Sequence, residues 1–120
     1  MHGKVKRTDK LNGEFQKDIY EIISRRLKNP YITEMFTILR VDTSKDLSHA
    51  KVYISIYSKD EGKKATTFKA ISDDAKRIRY ELSKISNIRT VPELHFILDE
   101  SLEYSDKINR LFDKIEKGEN

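Results

Sequence analysis

The chain contains no cysteine, which excludes disulfides, thiolate nucleophiles and cysteine-based zinc centres. Its four glycines, Gly3, Gly13, Gly62 and Gly118, are too scattered to write a phosphate-cradling loop. No apolar run approaches the roughly 20 residues of a membrane span. The basic start, Met1-His2-Gly3-Lys4-Val5-Lys6-Arg7, lacks the apolar centre of a signal peptide, so a cytoplasmic protein is expected. The three histidines, His2, His49 and His95, have no spacing typical of a metal site. His95 lies between apolar neighbours, where a structural or cross-strand role outweighs a catalytic one. Asp42-Thr43-Ser44-Lys45-Asp46 has the look of a calcium loop, yet Leu47 stands where glycine is needed and no downstream Glu is suitably placed. It reads as a polar turn. No enzyme, metal or cofactor is expected.

What is present in quantity is charge. Lys and Arg number 24 and Asp and Glu number 20 among 120 residues, a length that fits one domain with one modest core. The distribution is uneven. From Asp99 onward there are seven acids and four bases, whereas residues 1–98 carry twenty bases and thirteen acids. A basic body followed by an acidic tail points to a polyanionic partner for the body, with an ordinary solvated surface as the plainer alternative.

Leu11, Phe15, Ile19, Ile22, Ile23 and Leu27 recur at helical spacing and predict a helix from about Asp9 to Lys28, ended by Asn29-Pro30. In the first strand, Met35, Thr37, Leu39 and Val41 alternate with Phe36, Ile38, Arg40 and Asp42. In the second, Ala50, Val52, Ile54 and Ile56 share a face opposite Lys51, Tyr53, Ser55 and Tyr57. The short polar stretch between them suits an antiparallel hairpin. Phe68, Ile71, Ala75, Ile78, Leu82 and Ile85 follow a helical period, but Ser72-Asp73-Asp74 are poor interior residues that prefer caps and turns. Two helices meeting near Ala75 are therefore expected, the second stopping near Asn87. Leu94, Phe96 and Leu98 alternate with His95 and Ile97 in a third strand of about Glu93 to Leu98, with Pro92 ahead of it where a missing N–H is harmless. Tyr104, Ile108, Leu111, Phe112 and Ile115 allow a short tail helix. Three strands cannot bury both sheet faces, so the helices are expected on one face.

Two blocks carry more than periodicity: Asp46-Leu47-Ser48-His49-Ala50-Lys51-Val52-Tyr53-Ile54-Ser55 and Arg89-Thr90-Val91-Pro92-Glu93-Leu94-His95-Phe96-Ile97-Leu98-Asp99-Glu100-Ser101-Leu102-Glu103-Tyr104. In this order they resemble the ribosome-binding factor A family, from about Thr8 to about Leu111. The resemblance implies an α+β, type II KH-like domain, helix-strand-strand-helix-kink-helix-strand, over residues 9–98. Residues 1–8 then form a basic flexible arm and residues 99–120 an acidic tail. It also implies a non-catalytic factor that binds the immature, free small (30S) ribosomal subunit and its rRNA and assists late rRNA processing and folding. A monomer needing no cofactor and no membrane is expected, in a bacterial family linked to cold adaptation.

The residues expected to bind RNA are Lys76, Arg77, Arg79 and Lys84 on the second helix of the pair, Arg89 beyond it, and Lys4, Lys6, Arg7 and Lys10 at the start. With Ile78, Leu82 and Ile85 turned inward, Lys76, Arg77 and Lys84 project outward, and a helix beginning near Ala75 offers N–H groups to a phosphate. The KH domain's Gly-x-x-Gly clamp is absent, and what the resemblance implies in its place is a kink centred on Ala75. Ile78, Arg79, Glu81 and Leu82 match the family's pattern; Lys76 stands where members often carry glycine. Two other readings are a protein-docking module using the open sheet face with Tyr53 and Tyr57, and a stress or hibernation factor on mature ribosomes.

Overall fold

The computed structural model describes residues 7–101. The first helix, α1 (Arg7–Glu21), runs directly into a π-helical turn at Ile22–Arg26, closed by Leu27 N–H donating to Ile22 O at 3.0 Å. The wider turn has a packing consequence. It lets Ile22, Ile23 and Leu27 all follow Leu11, Phe15 and Ile19 into the core. The stop precedes the expected one: Lys28 is left-handed, with φ of 43°, so the chain has turned before Pro30 can act.

β1 (Met35–Thr43) and β2 (His49–Tyr57) form the expected antiparallel hairpin. One expectation fails here. Ile38 pairs with Ile54 and Arg40 with Tyr53, so Leu39 is an extra residue in a bulge. The bulge resets the alternation and brings both Ile38 and Val41 to the buried face, where strict alternation would separate them. Gln16 Nε2 on α1 donates to Ile38 O at 2.8 Å, and Thr43 N–H donates to Asn12 Oδ1 at 3.0 Å. α1 thus holds β1, an edge strand, by its backbone.

The hairpin turn is held by Asp46. Its Oδ1 accepts from Ser48 Oγ and Ser44 Oγ, both at 2.7 Å, and from Ser48 N–H at 3.1 Å. These donors, the Ser48 hydroxyl foremost, lower the Asp46 carboxyl from 3.8 to about 2. A depressed folded-state value means that this stabilisation is complete above the unfolded value of 3.8 and is lost as pH falls through about 2. A carboxyl-carbon NMR titration should therefore give Asp46 a midpoint near 2, moving toward the ordinary value when Ser44 and Ser48 are both replaced by Ala.

α2 (Glu61–Asp73) starts at Asp60, whose carboxylate accepts from Lys63 N–H at 3.1 Å. α3 (Ala75–Ile85) follows after the single residue Asp74, and β3 (Glu93–Leu98) then pairs parallel to β2. The sheet order is β1-β2-β3, with β2 in the centre. Ala50, Val52, Ile54, Ile56 and Leu94 meet Phe15, Ile19, Ile71, Ile78 and Leu82 in one core. Among the described residues, the helix order and the packing of the helices on one sheet face agree with the expected α+β arrangement. Ile85 departs from it: as the last residue of α3 it is 37% exposed. The helix is capped by Ser86, whose N–H donates to Leu82 O at 2.9 Å, one residue before Asn87. The tail helix expected from Leu102 onward lies outside the described residues.

Candidate nucleic-acid interface

The junction between α2 and α3 is built from Asp74. Its N–H still donates to Ala70 O at 3.2 Å and to Ile71 O at 3.1 Å, while its own carbonyl accepts from Ile78 N–H at 2.8 Å. Its carboxylate does not cap α3. It is taken instead by Asn29 Nδ2 at 2.9 Å, which ties the junction to the loop after the π-helical turn. Asn29 Oδ1 in turn accepts from Tyr31 N–H at 2.9 Å. The start of α3 therefore has no side-chain cap, and its first turn keeps the positive end of the helix dipole.

Lys76 and Arg77 stand in that first turn, both exposed, and the side chain of neither forms a hydrogen bond or ion pair among the described residues. A cleft of about 590 Å³ opens beside them, lined by Ser72, Asp73, Ala75, Lys76, Arg79 and Glu93 with Leu94. Ser72 Oγ is buried and has no hydrogen-bond partner among the described residues. The cleft mixes both charges, so the cationic character belongs to its α3 rim.

The other expected residues divide. Arg79 is turned inward, donating from Nε at 3.2 Å and Nη2 at 3.0 Å to Val91 O. It fixes the loop leading into β3 and does not project with Lys76 and Arg77. Lys84 is exposed but engaged: its Nζ lies 3.0 Å from Glu81 and 4.5 Å from the Tyr80 ring centroid. The Glu81 hydrogen bond raises the Lys84 pKa, and Glu81 also meets Arg26 at 3.6 Å. Arg89 is exposed in the α3–β3 loop, and Lys10 is exposed on α1. Lys4 and Lys6 lie outside the described residues, as does the side chain of Arg7. Lys64 shows how charge counting overstates a surface. Its side chain is 2% exposed, against Glu61 at 3.5 Å and Glu100 at 3.6 Å.

Arg79 gives a direct test of these assignments. Replacing it with Ala should destabilise the fold by about 1.5–3 kcal/mol, because a charged donor is lost from a carbonyl it satisfies. Urea unfolding measures that loss. The salt dependence of any RNA binding should be unchanged, which a phosphate-binding role would not allow.

Known proteins share both this sequence pattern and this geometry. The family model described as ribosome-binding factor A matches residues 7–112. The chain belongs to the ribosome-binding factor A family. It is 40% identical over 113 residues to ribosome-binding factor A of Caldicellulosiruptor bescii, covering 93% of this chain and 86% of that one. The Legionella pneumophila (strain Lens) protein of the same name is 35% identical over 115 residues, covering 96% and 91%. Among solved structures, the crystal structure of ribosome-binding factor A from Thermus thermophilus superposes with a TM-score of 0.64 at 25% identity, over 78% of this chain and 97% of that one. A model of the Thermus thermophilus protein fitted into the cryo-EM map of a 30S complex gives a TM-score of 0.61 at 25% identity, over 76% and 93%.

Within this ribosome-binding factor A fold, the break falls at Asp74 and α3 opens at Ala75, where the sequence interruption places it. Three features escape periodicity. Asn29 reads as a helix stop but is the anchor of the junction. Arg79, which its helical position leaves out of the outward-projecting set, is a loop clamp. His49 and His95, 46 positions apart, meet across the paired strands β2 and β3. A polar residue just before a proline was the available signal for the first; the second depends on a contact across the α3–β3 loop, and the third on which strands are neighbours. No described helix is long and apolar enough to cross a membrane.

Proposed function

We propose that this chain is a non-catalytic assembly factor that binds the immature, free small ribosomal subunit in the cytoplasm and supports late folding and processing of its rRNA. The observation that carries this reading is its likeness in sequence and fold to a relative placed in a 30S complex. The local chemistry supports it. Lys76 and Arg77 flank an uncapped helix start beside a cleft, an arrangement suited to phosphate groups. Arg89 and Lys10 supply further exposed cations, and Lys4, Lys6 and Arg7 add basic charge in sequence. Lys84 has a secondary role because Glu81 already shares its charge.

Sedimentation of a cell extract tests the reading: the protein should travel with free small subunits rather than with whole ribosomes. With purified subunits, affinity should fall steeply as salt rises. For about four to six neutralised phosphates, the log–log slope is about −3 to −5. Co-migration with mature ribosomes alone would favour the hibernation reading. Salt-indifferent binding would favour docking through protein surfaces. Tyr53 is a poor anchor for such docking, since Arg40 already covers its ring at 3.8 Å.

A further inference from the structure

The parallel pairing of β2 with β3 sets His49 opposite Glu93 and Lys51 opposite His95, all four on the sheet face that the helices leave open. His49 and His95 are thus diagonal neighbours. His49 Nδ1 lies 3.0 Å from His95 Nε2, and Glu93 Oε2 lies 3.5 Å from the same His49 nitrogen. One donor atom from each of the three side chains falls within 4.8 Å of the others. All three are exposed, and the backbone beneath them is paired, with Glu93 N–H donating to Ser48 O at 2.9 Å.

We propose that His49, Glu93 and His95 form a surface site for one zinc ion, or a late first-row divalent ion of like preference. Two imidazole nitrogens and one carboxylate oxygen are the donor set such ions favour over calcium or magnesium. Zinc–ligand bonds of about 2.0–2.2 Å on a tetrahedron hold the ligand atoms about 3.3–3.6 Å apart. The two separations of 3.0 and 3.5 Å are already close to that. In the metal-free pair the N–H of one facing nitrogen donates to the lone pair of the other; with that ring in its other tautomer, its N–H on the far nitrogen, both facing nitrogens present lone pairs to the ion and no net proton is lost. Glu93 completes the set by a side-chain rotation that its exposure permits. Three protein ligands leave the fourth position to water.

The surroundings set the strength. The cleft of about 540 Å³ over the histidines is also lined by Asp42, Ser44, Lys51 and Ile97. Lys51 repels a dication, and Asp42, its register partner on β1, offsets that repulsion. Substituting Lys51 by Met should therefore strengthen binding. The bound ion bridges the starts of β2 and β3, strands far apart in sequence, so it binds the folded chain in preference to the unfolded one and raises the melting temperature.

The experiment is calorimetric titration of zinc chloride into the full, untagged chain at neutral pH in a non-coordinating buffer. One ion per chain is expected, with the melting temperature rising as zinc is added. H49N and H95Q should each weaken binding by at least about tenfold, the lower range seen when even outer partners of metal ligands are altered. E93Q supplies an independent removal if either histidine variant is misfolded by circular dichroism. H2N should bind as the parent does. Failure to take up stoichiometric zinc overturns the proposal. So does binding that survives H49N, H95Q and E93Q, or that is lost only in H2N, which would place the ion at the N-terminus.

Discussion

Reversing Lys76 and Arg77 together to Glu should abolish association with small subunits at physiological salt while leaving the chain folded. Both side chains are exposed in the first turn of α3 and engage no described residue, so the fold loses nothing that it uses. Such surface changes cost about 0.5 kcal/mol or less each. Binding loses two charge-assisted contacts of about 1.5 kcal/mol or more apiece, together above a hundredfold in affinity, before the added repulsion is counted. The residual binding should also show a shallower salt slope, by about two if each cation neutralises one phosphate. Lys84→Glu alone should do less to binding, since that cation is already shared with Glu81. Reversal of Lys107, Lys114 and Lys117 in the acidic tail is the control and should bind almost normally. Co-sedimentation reads the effect. Equal failure of the control, or parental binding by the double variant, would move the binding surface away from α3.

The second large effect is on stability. Ile78→Ala should destabilise the domain by about 2–5 kcal/mol, the range for truncating a fully buried aliphatic side chain. Ile78 is 0% exposed and packs with Ile19, Ile71 and Leu82 beneath the α2–α3 junction. The cavity would open under the turn that presents Lys76 and Arg77. Urea unfolding should show an earlier midpoint with little change in slope. Any binding measured where the variant remains folded should keep its salt dependence, because no cation has been removed. A loss below about 1 kcal/mol would mean that the neighbouring helices close the space by shifting, and that the junction is less rigid than its packing implies.

Sequence patterning is most reliable where one physical rule acts without competition. In β2, Ala50, Val52, Ile54 and Ile56 alternate and are all buried, because a central strand with one covered face obeys period two. The break at Asp74 was legible because Ser72, Asp73 and Asp74 interrupt an otherwise apolar helical series. Alternation misled in β1, where the Leu39 bulge lets Ile38 and Val41 share a face. A bulge costs nothing that composition records. It is supported by Gln16 from another element, and no local window contains both residues.

The candidate interface divides in the same way. Lys76 and Arg77 were legible because their projection follows from the buried positions of Ile78 and Leu82 on one helix. Arg79 was not, because its partner is the Val91 carbonyl across the α3–β3 loop. The sequence by itself determined the described elements, their order, the buried stripes of α1 and β2 and the family, since each depends on neighbours a few residues apart or on contiguous blocks. Only the tertiary structure decided that β2 runs between β1 and β3, that Asn29 holds Asp74, and that His49 reaches His95. Those outcomes depend on packing helices and strands over separations of tens of residues, where spacing in the chain carries no geometric information.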